Sequence, residues 1–141
     1  MNGLRSAGKG TVVATAFACL VSASSALAGY QQGGFSGTSE QLEPITFRAD
    51  EDRVRRLAVV VYAECADSTR QKITVEKGRT DIDGDDRFSL ELTGASELKV
   101  EVTGRLKGER AGGRIVATVK PPGTTCRADT RWSATLAKPA S

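Results

Sequence analysis

From Glu97 to Lys107 the chain alternates with a two-residue period. Leu98, Val100, Val102 and Leu106 fall on one side, and Glu97, Lys99, Glu101, Thr103, Arg105 and Lys107 on the other. A helix would scatter these apolar residues around its axis, whereas an extended strand gathers them on one face. Gly104 stands in the apolar row, where a glycine often marks a bend or bulge. Just upstream, Phe88, Leu90 and Leu92 alternate with Arg87, Ser89, Glu91 and Thr93. The link Gly94-Ala95-Ser96 is short, so the two segments are expected to form a hairpin.

The same period recurs along the chain. Pro44 opens a short strand carrying Ile45 and Phe47. Leu57, Val59, Val61, Ala63 and Cys65 make one face of a longer strand, whose other face (Ala58, Val60, Tyr62) is also fairly apolar. Apolarity on both faces suggests a central strand or a covered second face. Further strands are expected at Ile73 and Val75, at Ile115 to Val119 and at Trp132 to Leu136, with Pro121-Pro122-Gly123 breaking the chain before Cys126. Phe35 to Thr38 adds an N-terminal strand. Residues 28–34 and 138–141 read as loose. Roughly seven to nine short strands without crossover helices exclude a parallel sheet. The expectation is one antiparallel all-β domain, a β-sandwich with a small antiparallel β-barrel as the alternative.

The first 28 residues stand apart. Arg5 and Lys9 precede an apolar run from Thr11 to Val21, and a small, polar stretch ends Ala26-Leu27-Ala28. A positive start, a short apolar middle and an Ala-x-Ala exit make a cleavable export signal, with cleavage expected between Ala28 and Gly29. The apolar run is shorter than the roughly 20 residues that span a bilayer. One arginine does not make a twin-arginine signal. Cys19 follows a poor lipidation context and reads as part of the signal.

The domain is then residues 29–141, localised outside the cytoplasm, either secreted or in the periplasm or cell envelope. Of the 20 basic residues, Arg5 and Lys9 leave with the signal, so 18 remain against 17 acidic ones. A near-neutral domain carries no overall electrostatic reason to bind nucleic acid or an anionic membrane, and no segment after the signal reads as a membrane span. Its two cysteines, Cys65 and Cys126, are expected to pair in an oxidising compartment.

The order of landmarks is Phe35-Ser36-Gly37-Thr38-Ser39, Pro44-Ile45 with Phe47, Cys65, Arg87-Phe88-Ser89, Cys126 and Trp132-Ser133-Ala134. Over residues 35–135 it resembles small exported all-β domains of unassigned function in secreted proteins of high-GC bacteria. The resemblance implies the same fold and disulfide, and no site residues come with it.

Chemistry is bounded mainly by exclusion. The chain has no histidine, which rules out a Ser-His-Asp triad, a Cys-His dyad and histidine-bound zinc. No glycine-rich phosphate loop followed by Lys-Ser/Thr is present. Asp81, Asp83 and Asp85 alternate as calcium ligands do. However, Asp86 stands where an EF-hand loop wants glycine, and Leu92 where it wants a bidentate glutamate. An acidic turn explains the run more simply. Glu64 and Asp67 are the nearest approach to a carboxylate pair for glycoside hydrolysis. Trp132 aligns with the apolar row and is expected in the core, leaving Tyr30 and Tyr62 as candidate surface aromatics.

The function expected is a non-catalytic exported module, binding or structural, with an unknown protein or glycan as partner and no cofactor. Recognition is expected on the turns Ser36–Pro44, Asp50–Arg53, Asp67–Arg70 and Asp81–Asp86. The alternatives are a glycan- or calcium-binding module, or a small-ligand barrel whose cavity Gly104, Gly113, Ala117 and Ala134 would line. An enzyme comes last.

Overall fold

A computed structural model describes residues 29–139. Ala26, Ala28 and the rest of the expected signal lie outside the described residues. Gly29, on the far side of the expected cleavage point, accepts a hydrogen bond at 2.7 Å from the Gly108 N–H.

Among the described residues eight strands form: β1 (Gly33–Ser39), β2 (Pro44–Ala49), β3 (Arg53–Cys65), β4 (Arg70–Asp81), β5 (Arg87–Gly94), β6 (Leu98–Lys107), β7 (Arg110–Val119) and β8 (Cys126–Pro139). They pair antiparallel in the order β4-β3-β2-β1-β8-β7-β6-β5. The fold is all-β, and no helix among the described residues is long and apolar enough to cross a membrane. The sheet does not lie flat. The start of β8 pairs with the end of β3 through Glu64 with Arg127 and Cys65 with Cys126. At the ends of the order, Ile82 bridges Phe88, and the Thr80 hydroxyl donates to the Ser89 carbonyl at 2.8 Å.

Curling the sheet lets its apolar face close on itself. Phe35 and Phe47 stack at 5.1 Å on neighbouring strands. Across the core, Phe47 meets Phe88 at 5.8 Å and the edge of Trp132 at 5.7 Å. The Trp132 indole N–H donates to the Thr103 carbonyl at 3.0 Å, so its polar atom is satisfied inside the core. Gly104 makes room for this cluster, because a Cβ there would stand 2.6 Å from both the Phe88 ring and the Trp132 ring. Trp132 is buried, as its place in the apolar row predicts. Cys65 and Cys126 are register partners and form the expected disulfide, joining segments 61 residues apart.

The strands outrun their sequence signals where alternation breaks. Arg55 and Arg56 both face outward between buried Val54 and Leu57, and Glu76 and Lys77 do the same between Val75 and Gly78. Each pair is a β-bulge, with the second residue in the left-handed region (Arg56 φ 55°, Lys77 φ 57°). Sequence reading therefore starts the third strand at Leu57 and finds only the centre of the fourth. The N-terminal segment is firmer than its glycines suggest. Gly33 and Gly34 pair with both Ala49-Arg48 and Pro139-Lys138. Tyr30, expected at the surface, is buried at 6% exposure, and its hydroxyl lies 2.7 Å from the carbonyls of Asp50 and Glu51. That burial, with Asp86, Asp52, Glu51 and Asp50 nearby, pushes the phenol up to about 12.

Candidate functional site

The acidic turn is occupied by its own backbone. The Asp83 carboxylate accepts the Asp85 N–H at 2.8 Å and the Arg87 N–H at 3.0 Å, which holds it below the usual carboxylate range. Asp81 instead reaches back to Arg53 at 3.5 Å. Asp81, Asp83 and Asp85 do not converge, and among the described residues no group of three His, Cys, Asp or Glu side chains is placed to hold a metal ion. Glu64 is exposed on β3, with Arg70 and Arg127 as its strand partners. Asp67 accepts the N–H and the hydroxyl of Thr69, which lowers its titration. These two carboxylates cap and flank one turn; they do not face each other across a cleft. Tyr62 is half-buried, with the Arg70 guanidinium 4.9 Å over its ring. Its backbone N–H and carbonyl are both bonded by the Gln41 side chain at 2.9 Å. The inner side of Gly104 is filled by aromatic rings, and Ala117 and Ala134 are buried in the same cluster.

The concavities worth weighing lie on the outside of the sheet. One of about 570 Å³ sits over the paired bulges, lined by Arg55, Arg56, Ala58, Glu76, Lys77 and Arg79. Its shape has a structural cause, since two bulges bend the β3–β4 ladder. Part of its charge is already spent. Arg55 is held by Asp50 at 2.6 Å, and Glu76 lies in the lining.

A second concavity, of about 340 Å³, crosses β5 to β8. Its lining holds Arg87, Arg105, Arg114 and Arg131, together with Thr103 and three glycines, and no acid. Strand register builds it. Arg87 faces Arg105, and Arg105 faces Gly112, in one outward row. Two residues along, Thr103 faces Arg114, and Arg114 faces Arg131, in the next. Neighbouring strands are about 4.8 Å apart, and two residues along a strand cover about 7 Å. Arg105 and Arg114 therefore flank the bare backbone at Gly112, with Arg131 on the adjoining strand and Arg87 one strand beyond Arg105 on the same face. No positive φ requires glycine at that position, and a Cβ there would meet only the Trp132 carbonyl, at 3.3 Å.

Charge is poorly compensated within this groove. Arg114 pairs with Asp129 at 2.8 Å. Among the described residues, Arg87, Arg105 and Arg131 make no salt bridge, although after the backbone hydrogen bonds the Arg87 charge helps to lower the Asp83 carboxyl. Glu40 approaches Arg131, but its carboxylate accepts the Arg131 backbone N–H at 2.9 Å. An unpaired guanidinium presents a planar fork of donors matched to carboxylate, sulfate or phosphate oxygens. Sequence reasoning missed this site because it looked to turns. The available signal was arginine at outward positions of several successive strands, and only the register aligns them.

Fold and site together define a disulfide-tied antiparallel all-β domain with an arginine-lined groove on its outer face. Comparison with known proteins finds no matching family model, no matching curated protein and no matching solved structure.

Proposed function

We propose that the chain is a non-catalytic exported module that binds an oxyanion-bearing partner through the groove on β5 to β8. The observation that carries this reading is a lining with four arginines, three of them without a salt bridge, beside the side-chain-free backbone at Gly112, and with no acid in it. Folding a near-neutral domain so that four like charges share one small surface costs repulsion, which an anionic ligand relieves. Export is supported by the signal pattern at the N-terminus and is compatible with the Cys65–Cys126 bond. Absence of histidine removes the commonest acid–base group, and Glu64 and Asp67 are not arranged to share a reacting bond.

Titration with inorganic pyrophosphate tests the groove. The Arg87, Arg105 and Arg131 side-chain N–H resonances are expected to shift together and saturably. Shifts spread evenly over all arginines, or pyrophosphate affinity retained in a variant with all three changed to Gln, would contradict the assignment. Intact mass of the secreted product tests export: the expected species begins at Gly29 and loses two hydrogens to the disulfide.

A further inference from the structure

The arginine groove does not end at β8. Gly112 faces Ser133, and Ser133 faces Thr38 on β1, which extends the first arginine row with hydroxyls. The next outward row toward the β6–β7 turn runs Lys107, Arg110, Thr135, Ser36. A third concavity, of about 300 Å³, lies over this part and is lined by Ser36, Thr38, Ser133 and Thr135 with Arg110. Both concavities meet at the Gly112–Ser133 pair. Cationic forks at one end thus continue into a lattice of exposed hydroxyls at the other. On the far side of the arginines the next outward row carries Glu91, Glu101, Val116 and Asp129, with Glu91 paired to Lys99 and Asp129 to Arg114. Those carboxylates bound the cationic surface on that side, and the continuous row of hydroxyls from Ser133 to Thr38 extends it across the strands, from β5 toward β1.

We infer that this track binds a linear anionic polysaccharide, with its sulfate or carboxylate groups on the arginines and its hydroxyls on the serine and threonine rows. This inference rests on the oxyanion-binding reading above and names the ligand class of the same groove. The hydroxyls separate a saccharide from other polyanions. Ser and Thr both donate and accept, which suits sugar hydroxyls, whereas a bare charge patch would need no such partners. Nucleic acid is disfavoured because single strands bind by stacking on aromatic side chains, and the aromatic residues of β5 and β8, Phe88 and Trp132, face inward and are buried. An acidic peptide such as poly-glutamate brings no hydroxyls of its own, so the serine and threonine rows would add less to its binding.

The test uses the purified full domain and four polyanions matched for charge number: a heparin-derived oligosaccharide, an oligogalacturonate, poly-glutamate and single-stranded DNA. At least one saccharide is expected to bind tightest, and its identity distinguishes sulfate from carboxylate. Arg105→Gln with Arg131→Gln should weaken that saccharide by at least about tenfold. Ser133→Ala with Thr135→Ala should weaken it about threefold while leaving poly-glutamate binding unchanged. Arg56→Gln with Lys77→Gln, over the bulges, should change nothing, and unaltered thermal midpoints confirm that each variant folds. Poly-glutamate or DNA binding as tightly as both saccharides, with loss in the Arg105/Arg131 variant, would overturn the saccharide class while leaving an anion groove. No polyanion binding above the level of the Arg105/Arg131 variant would overturn both.

Discussion

Two long antiparallel ladders run through this sheet, β3–β4 and β6–β7, and they are built differently. The β6–β7 register is unbroken from Lys99–Thr118 to Lys107–Arg110. The β3–β4 register shifts twice, once for each bulge, and the two shifts lie side by side on opposite strands. An unbroken ladder keeps outward residues in straight rows, so arginines from β5 to β8 can gather in two adjacent rows of one face. A doubly bulged ladder turns two consecutive residues outward and makes a concavity by bending. Similar charge therefore sits on both surfaces for different reasons. In one it lines a regular face left open at Gly112; in the other it follows from irregular backbone.

The sharpest way to probe the comparison is the bond that ties the two halves together. Replacing Cys65 and Cys126 with Ser is expected to lower stability by about 4 kcal/mol, from the 61-residue separation it closes. Chemical denaturation of the two forms checks this, and a loss under about 1 kcal/mol would contradict it. Next in size is Gly104→Ala. Its new Cβ would meet the Phe88 and Trp132 rings at 2.6 Å, so an overpacking cost of about 1–3 kcal/mol is expected.

Smaller effects separate the ladders directly. Lys77→Gly relieves a left-handed backbone and should leave stability unchanged or raise it by up to about 1 kcal/mol. Glu101→Gly, in the unbroken β6, should instead lose about 1 kcal/mol. Equal losses at both sites would remove the distinction between bulged and regular strands. The Tyr30 phenol provides a pH test. Below its ordinary value of 10.0 it is protonated folded and unfolded, and its contribution is intact. As pH rises from 10.0 toward about 12, the unfolded chain loses the proton while the folded one keeps it, so stability falls. Tyr30→Phe should abolish that part of the alkaline slope in denaturation curves, and an unchanged slope would show the phenol to be uninvolved.

Legibility in the sequence follows the same divide. The hairpin of β5 and β6 was readable because Phe88, Leu90, Val100 and Val102 are large and strictly alternate. Buried Trp132 was readable from its place in the apolar row, and the disulfide because Cys65 and Cys126 are the two cysteines after the expected signal. β8 was readable only at its centre, because its inward row includes small or polar Ala128 and Thr130, whose burial carries no hydropathy signal. Arg55-Arg56 and Glu76-Lys77 hid the ends of β3 and β4, since a bulge breaks the period being counted. Tyr30 was misread as a surface aromatic because its burial depends on carbonyls about 20 residues away. The arginine groove was invisible for a further reason: Arg87, Arg105, Arg114 and Arg131 become neighbours only through pairing between strands.

That pairing is directly measurable. Cross-strand nuclear Overhauser contacts in the labelled domain should place Arg87 opposite Arg105, Arg105 opposite Gly112, and Arg114 opposite Arg131. Contacts displaced by a single residue, such as Arg105 opposite Gly113, would move alternate side chains to the other face and disperse the groove.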